Sequence, residues 1–262
     1  YRLLADMADE ISAILHGNDT LRLERYKEGE LSILQSEVAK MTVRLREQAE
    51  RLSGEKERLS DAIADISHQL RTPLTSVRLL ASLLEEPGLP ESRRDELLSE
   101  LNTLLDRISW LIEVLLKLSK LDAGMVSFRN DQVMVSELVE KAAAPLAVSM
   151  EVRNQQLDVT MGANPAFCGD LLWSAEAVGN ILKNCMEHTP YGGKIFVHAR
   201  ENAMFTEIQI SDTGPGIPKA EQNRVFDRFF KGKNASPSSV GIGLALAKQI
   251  ITSQNGTVKV LD

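Results

Sequence analysis

Two long runs of helical apolar spacing leave this chain few ways to fold. Over about 58–85 the stripe is Ile63, Ile66, Leu70, Leu74 and Val77, and over about 91–122 it is Leu97, Leu101, Leu104, Ile108, Leu111, Leu115 and Leu118. Both follow the three-and-four spacing that puts apolar side chains on one helix face. Glu86-Pro87-Gly88-Leu89-Pro90 separates them with turn chemistry. Two helices alone cannot bury faces this wide, so the economical arrangement is an α-helical hairpin that pairs with a second copy into a dimeric four-helix bundle. Upstream, apolar residues at 31, 34, 38, 41, 45, 52 and 59 make a heptad seam interrupted by Gln48 and Glu55. That seam predicts either a dimeric coiled coil feeding the hairpin or an amphipathic helix packed within one chain.

After Leu121-Asp122-Ala123-Gly124 the periodicity changes. Alternating runs at 133–135, 155–160, 194–199 and 205–210 predict strands. They interleave with helical stretches at about 136–150, 170–187 and 241–254, for which Ser136 and Asp170 are the N-cap candidates of the first two. The mixed order, with hairpin-like neighbours at 194–210, predicts an α+β two-layer sandwich rather than a doubly wound sheet. Gly256-Thr-Val-Lys-Val-Leu-Asp262 predicts one more strand.

With 262 residues, the chain holds about two domains of ordinary size. A net charge of −7 without a basic stripe argues against direct binding of nucleic acid. Cys168 and Cys185, in no metal-ligand spacing, predict neither disulfide stapling nor structural zinc.

Five short blocks carry chemistry. The first is Ile66-Ser67-His68-Gln69-Leu70-Arg71-Thr72-Pro73 on the first long helix. A neutral imidazole is a competent nucleophile near neutral pH, and Thr72, four residues on, shares the face of His68. Pro73 lacks an N–H and is expected to kink the helix there. Asn180 and Asn184 stand one turn apart on the 170–187 helix, with amide oxygens suited to a hard cation such as Mg²⁺. Asp212 ends a strand before Gly214 and Gly216, where a carboxylate over a pocket floor accepts from an amine and the glycines let backbone approach. Phe226, Phe229 and Phe230 read as anchors for the small, polar segment 231–240, a candidate lid that opens on Lys231. Gly241 and Gly243 then start a helix whose free N–H groups suit an anion. His16, His188 and His198 lack comparable neighbours.

In this order the blocks resemble the H, N, G1, F and G2 boxes of the sensor histidine kinases of two-component systems, from about residue 58 onward. The resemblance implies a dimerisation and phosphoacceptor domain at 58–124 and an ATP-binding catalytic domain of the GHKL (Bergerat) ATPase type at 125–262. A HAMP-like or coiled-coil relay is expected at 1–57, where Ile11 to Leu15, the breaker Gly17-Asn18-Asp19 and a new start near Glu28 give helix, connector, helix. The implied activity is ATP-dependent phosphorylation of His68 and transfer to an aspartate of a response-regulator receiver domain, with Thr72 serving dephosphorylation of that regulator. The implied cofactors are ATP and Mg²⁺. Asn184 resembles the metal-binding Asn and Asn180 supports it; Asp212 is assigned the adenine amine, and Gly214, Gly216, Lys231, Gly241, Gly243 and Leu244 the rest of the nucleotide site. Homodimerisation, an upstream membrane-spanning sensor and a cytoplasmic location for this part of the protein follow from the same likeness, as does a C-terminal end cut before a closing strand.

Two residues depart from the pattern. Gln69 replaces an acid that would draw on the histidine proton; its amide oxygen is still able to accept from the ring N–H. Glu187 stands where many relatives have Lys. Two other readings therefore stay open: an ATPase of the same superfamily, for which Glu176 four residues before Asn180 is a formal candidate acid, and a phosphatase-biased signalling adaptor with weak kinase activity.

Overall fold

The computed structural model describes residues 30–232 and 239–261. The expected first relay helix, its breaker, His16 and most of the 231–240 segment lie outside the described residues. The chain divides into two compact units between Ile66 and Ser67.

Helix α1 (Glu30–Leu84) is one unbroken helix. In the first unit Met41, Leu45 and Leu52, all on the heptad seam, are exposed. Ion pairs of Glu37 with Lys40 and of Arg46 with Glu50 line the same helix at spacings of one turn.

The second unit opens with the rest of α1, which runs through Pro73 without ending. The proline cannot donate to the Gln69 carbonyl, but it is buried, and the flanking turns stay helical. Helix α2 (Glu91–Asp122) follows after the Pro/Gly turn, at the boundaries its sequence predicts. Its expected stripe is buried or half-buried, with Leu97, Leu111 and Leu118 at 2% exposure. A second apolar row, Leu98, Leu105, Ile112 and Leu116, is exposed. In the sequence its seven- and four-residue steps merge with the stronger stripe.

Strand β1 (Asp131–Met134) leads directly into α3 (Val135–Ala143). Ser136 is therefore not an N-cap: it lies inside the first turn, and Met134 stands at the cap position without a side-chain cap bond. The single helix expected over 136–150 is divided by a 3₁₀ turn at Ala144–Leu146, which contains Pro145, before α4 (Ala147–Val152). Strand β2 (Gln156–Met161) is followed by β3 (Ala166–Gly169), which pairs antiparallel with β1. β3 was not anticipated, since its four residues carry no alternation and form a strand only through that partner.

Helix α5 (Leu171–His188) has the expected cap: the Asp170 carboxylate accepts from the N–H groups of Leu172 and Trp173 at 3.0 and 3.1 Å. Strands β4 (Lys194–Glu201) and β5 (Thr206–Asp212) form an antiparallel pair, and β2 joins the other edge of β4 in parallel, giving the order β2-β4-β5. Short α6 (Lys219–Gln222) and then α7 (Gly243–Ser253) complete the elements. The strand expected at 256–262 does not form among the described residues, although burial alternates along 256–261. Alternation marks an extended segment, but a strand exists only through its ladder, and no partner pairs with this one.

Helix α5 is the centre of the sandwich because both its faces are buried. One face, with Val178, Leu182, Cys185 and Met186, packs with α3 against Ile195, Val197 and Ala199 of the sheet. The other, with Ala177, meets Leu246, Ala247 and Ile250 of α7 and Leu111, Val114, Leu118 and Leu121 of α2. The helical hairpin and the sandwich thus share a continuous apolar core.

Candidate functional site

His68 is exposed on α1, Thr72 is exposed one turn later, and Gln69 is half-buried. The Thr72 hydroxyl donates to the His68 carbonyl at 3.4 Å, a long contact that a better acceptor would displace. Leu70, on the same segment, packs at the edge of the core formed by α2, α5 and α7. The imidazole is therefore carried on a helix anchored beside the sandwich while its own ring faces outward.

The second constellation is built along α5. Near its C-terminal end, Asp212 from β5 lies behind Cys185, and the Gly214 N–H donates to Asp212 Oδ1 at 2.7 Å. Burial first, and then the neighbouring Asp212 carboxylate with which it hydrogen-bonds, push the Cys185 thiol well above its ordinary range. It therefore stays a neutral donor that helps hold Asp212 in one orientation. A Cβ at Gly214 would come 2.6 Å from Asp212 Oδ1 and 2.8 Å from the His188 carbonyl, so only glycine lets this loop lie against α5. Gly216 is needed for a different reason, its φ of +72°. Buried Gln155 fixes the same end of α5, since its Nε2 donates to the carbonyls of Met186 and Thr189 at 3.1 and 2.7 Å.

Midway along α5, Asn180 Nδ2 donates to the Glu176 carbonyl at 2.8 Å. Its Oδ1 faces Gly243, where a Cβ would sit 2.9 Å away, so the N-terminus of α7 is seated against Asn180. Asn180 is thus a support committed to the helix junction. Asn184, one turn on, is half-buried, with an amide that makes no hydrogen bond among the described residues. Its oxygen suits a hard divalent cation brought by a nucleotide. Glu187 is half-buried three residues further on.

The residues flanking the 231–240 segment meet. Phe229 has φ +61°, an uncommon conformation for an aromatic residue, and packs on the α2–α7 core. Gly241, at φ +76°, lies so close to the Phe230 carbonyl that any Cβ would overlap it. Phe226 and Phe230 lie under Lys248 and Arg224. All three phenylalanines are half-buried beside the 231–240 segment. Lys231, at the start of that segment, is exposed; partial burial, and secondarily the Arg107 guanidinium of α2, lower its pKa. Leu244 is half-buried in the first turn of α7.

Three contacts that sequence reasoning missed tie α2 to this site. Lys117 Nζ lies 2.8 Å from Glu176 Oε1, Lys183 Nζ lies 4.9 Å from the centre of the Trp110 ring, and Arg228 bonds both carboxylate oxygens of Asp122 at 2.7 Å. Long-range pairs of this kind have no signature in spacing. Cys185 could have been noticed, as the residue directly after Asn184.

The matching family models are the His Kinase A (phospho-acceptor) domain over residues 58–124 and the Histidine kinase-, DNA gyrase B-, and HSP90-like ATPase over residues 169–262. The signal transduction histidine-protein kinase/phosphatase MprB of Mycolicibacterium vanbaalenii is 32% identical over 234 residues, covering 86% of this chain and 47% of that protein. The chain spans about half the length of the curated relatives it matches. Among solved structures, Acinetobacter baumannii histidine kinase AdeS aligns with a TM-score of 0.63 at 20% identity, covering 74% of this chain and 91% of that one. Histidine kinase ThkA in complex with response regulator protein TrrA gives 0.57 at 18% identity, covering 77% and 57%. At these identities the structures speak for the fold.

Proposed function

We propose that this chain, which belongs to the sensor histidine kinases of two-component systems, moves the γ-phosphoryl group of ATP to His68 and from there to an aspartate of a response-regulator receiver domain. The observation that carries the reading is an exposed imidazole on a helix whose Leu70, two residues on, packs against the same core as α5 and α7, the two helices that frame the candidate nucleotide site.

In this reading Asp212 accepts from the adenine amine, with Gly214 and Cys185 orienting the carboxylate. The open amide of Asn184 holds the Mg²⁺ carried by the triphosphate, and Asn180 seats the first N–H groups of α7 toward the phosphates. Mg²⁺, when bound, neutralises charge on the phosphate oxygens. Lys231, Gly241, Gly243 and Leu244 border the phosphates, with Gly216 turning the loop below the base. His68 then attacks in line, and positioning and charge neutralisation supply most of the barrier lowering. The half-buried Gln69 amide accepts from the ring N–H, which fixes the tautomer that leaves the other nitrogen free.

Homodimerisation is supported by exposed apolar residues of both helices, Leu74 and Leu79 of α1 and the row Leu98, Leu105, Ile112 and Leu116 of α2. A response regulator fits as partner because the ThkA structure holds one. Phosphatase action toward that regulator, supported by the name of the MprB relatives, falls to Thr72, whose hydroxyl is only weakly engaged. No helix among the described residues is long and apolar enough to cross a membrane. A membrane-spanning sensor and HAMP-like relay in the full-length protein, with this part on the cytoplasmic side, complete the proposal.

The test is incubation with γ-labelled ATP. Label that is acid-labile, base-stable and transferable to a receiver domain is expected; nucleotide binding without label on the protein would instead support the adaptor reading. Gln69→Glu addresses the missing acid. If proton removal limits the rate, this variant raises the initial labelling rate, by about tenfold if it supplies part of the 10²–10⁴-fold typical of general-base help. An unchanged rate would show that the amide's orienting role is sufficient.

A further inference from the structure

We propose that Lys117 occupies a water-activating carboxylate, Glu176, at the γ-phosphoryl end of the nucleotide site, and so suppresses a latent ATP hydrolysis in this chain. The inference rests on the nucleotide site described above and adds a residue that decides between two acceptors, water and His68.

The direction of the site along α5 comes from two close approaches. Gly214, beside Asp212, lies against the His188 carbonyl, and Gly243, the first residue of α7, lies against Asn180. The base end is therefore at residues 185–188 and the anion-binding helix end is at 180, about 12 Å nearer the N-terminus of α5 at 1.5 Å per residue. Continuing the same way by about 6 Å reaches Glu176, which shares the face of Asn180 and Asn184 at four-residue spacing. A carboxylate there lies beyond the phosphates, where a water attacking the terminal phosphorus would approach.

Lys117 closes that position. Its ammonium is 2.8 Å from Glu176 Oε1, and both side chains are only about one-third exposed, at 35% and 33%. The ammonium holds one carboxylate oxygen and draws the group toward α2, which in this proposal keeps it from taking a proton from water. The hydrolysis it prevents is balanced as follows. The water oxygen bonds to the γ-phosphorus, the bond from that phosphorus to the bridging oxygen breaks to release ADP, and the water's proton passes to Glu176 and on to solvent. Lys117 comes from the hairpin partner of the helix bearing His68. The docked hairpin thus supplies the acceptor and blocks the competing one.

Lys117 is a positioning residue, and its contacts are separable from the docking itself. Trp110 with Lys183 and Asp122 with Arg228 hold α2 in place without it. Substituting the Glu176 side chain also leaves its backbone carbonyl free to accept from Asn180.

The experiment uses the whole chain carrying His68→Gln, so that no phosphoryl group is stored on the protein, and measures phosphate release at saturating Mg-ATP beside nucleotide affinity by titration. Lys117→Met is expected to raise phosphate release about tenfold, a fraction of the 10²–10⁴-fold of a well-placed general base. Adding Glu176→Gln should return release to the parental rate, and Lys117→Arg should keep it low. Release unchanged in Lys117→Met, with nucleotide still bound, overturns this proposal alone. A rise that survives Glu176→Gln overturns it too, because the effect is then a loosened interface. A parent that binds no Mg-ATP takes down the site reading and the proposal together.

Discussion

Replacing His68 with Gln is expected to reduce incorporation of label from γ-labelled ATP to background while leaving nucleotide affinity within about twofold, a change of about 0.4 kcal/mol. His68 is exposed, so the substitution leaves no cavity and no buried group without a partner. Glutamine retains a polar side chain of similar reach and good helix propensity, so α1 keeps its course and Leu70 keeps its place at the core edge. Only the nucleophilic nitrogen is lost, and an amide nitrogen is no substitute for it. Titration with a fluorescent nucleotide and label counting on the same preparation separate the two effects. Label retained on the variant would remove His68 as acceptor, and His188 and His198 would then need to be tested in turn.

The second large effect is expected at Asp212. A hydrogen bond to a charged group contributes about 1.5–3 kcal/mol, so Asp212→Ala should weaken nucleotide binding by about 10- to 150-fold. Its carboxylate is oriented by the Gly214 N–H at 2.7 Å and by the Cys185 thiol, both of which lose their acceptor in the variant. Asp212→Asn keeps the volume and an acceptor oxygen, and should fall between parent and alanine variant while melting close to the parent. Asn184→Ala should weaken binding only when Mg²⁺ is present, whereas the Asp212 effect should persist in excess chelator. If Asp212→Ala binds Mg-ATP as tightly as the parent, the pocket lies elsewhere. If the Asn184 effect is independent of Mg²⁺, that amide is not a metal ligand.

Much of the fold was legible because strong periodicity encodes it. Helix α2 has the boundaries its apolar spacing predicts, and Asp170 caps α5 because a carboxylate at that position reaches the first free N–H groups. Ser136 has the same kind of side chain but does not cap, since the helix starts one residue before it, at Val135, and Met134 stands at the cap position. The short β3 and the unpaired 256–261 segment err in opposite directions for one reason. Ala166–Gly169 acquires a ladder partner that its sequence does not announce, and the valines near the C-terminal end have the right pattern without a partner. The packing of the phenylalanines beside the 231–240 segment was readable from their composition, but the left-handed Phe229 was not, because the close approach of Gly241 that accompanies it comes from the other side of that segment.

What the sequence alone determined is what local spacing encodes: the hairpin, the sandwich, and the five blocks whose order marks the family. An i, i+4 relation puts Thr72 on the face of His68 and Asn180 on that of Asn184 wherever the helices lie. The tertiary structure decided which of those groups are free. It committed Asn180 to the seat of α7 and left Asn184 open, set Cys185 behind Asp212, and paired Glu176 with a lysine 59 residues away. These outcomes depend on where separate elements come to rest against each other. Packing of α5 between two cores sets those contacts, and hydrogen bonds and charges too far apart in the chain to leave a pattern follow from it.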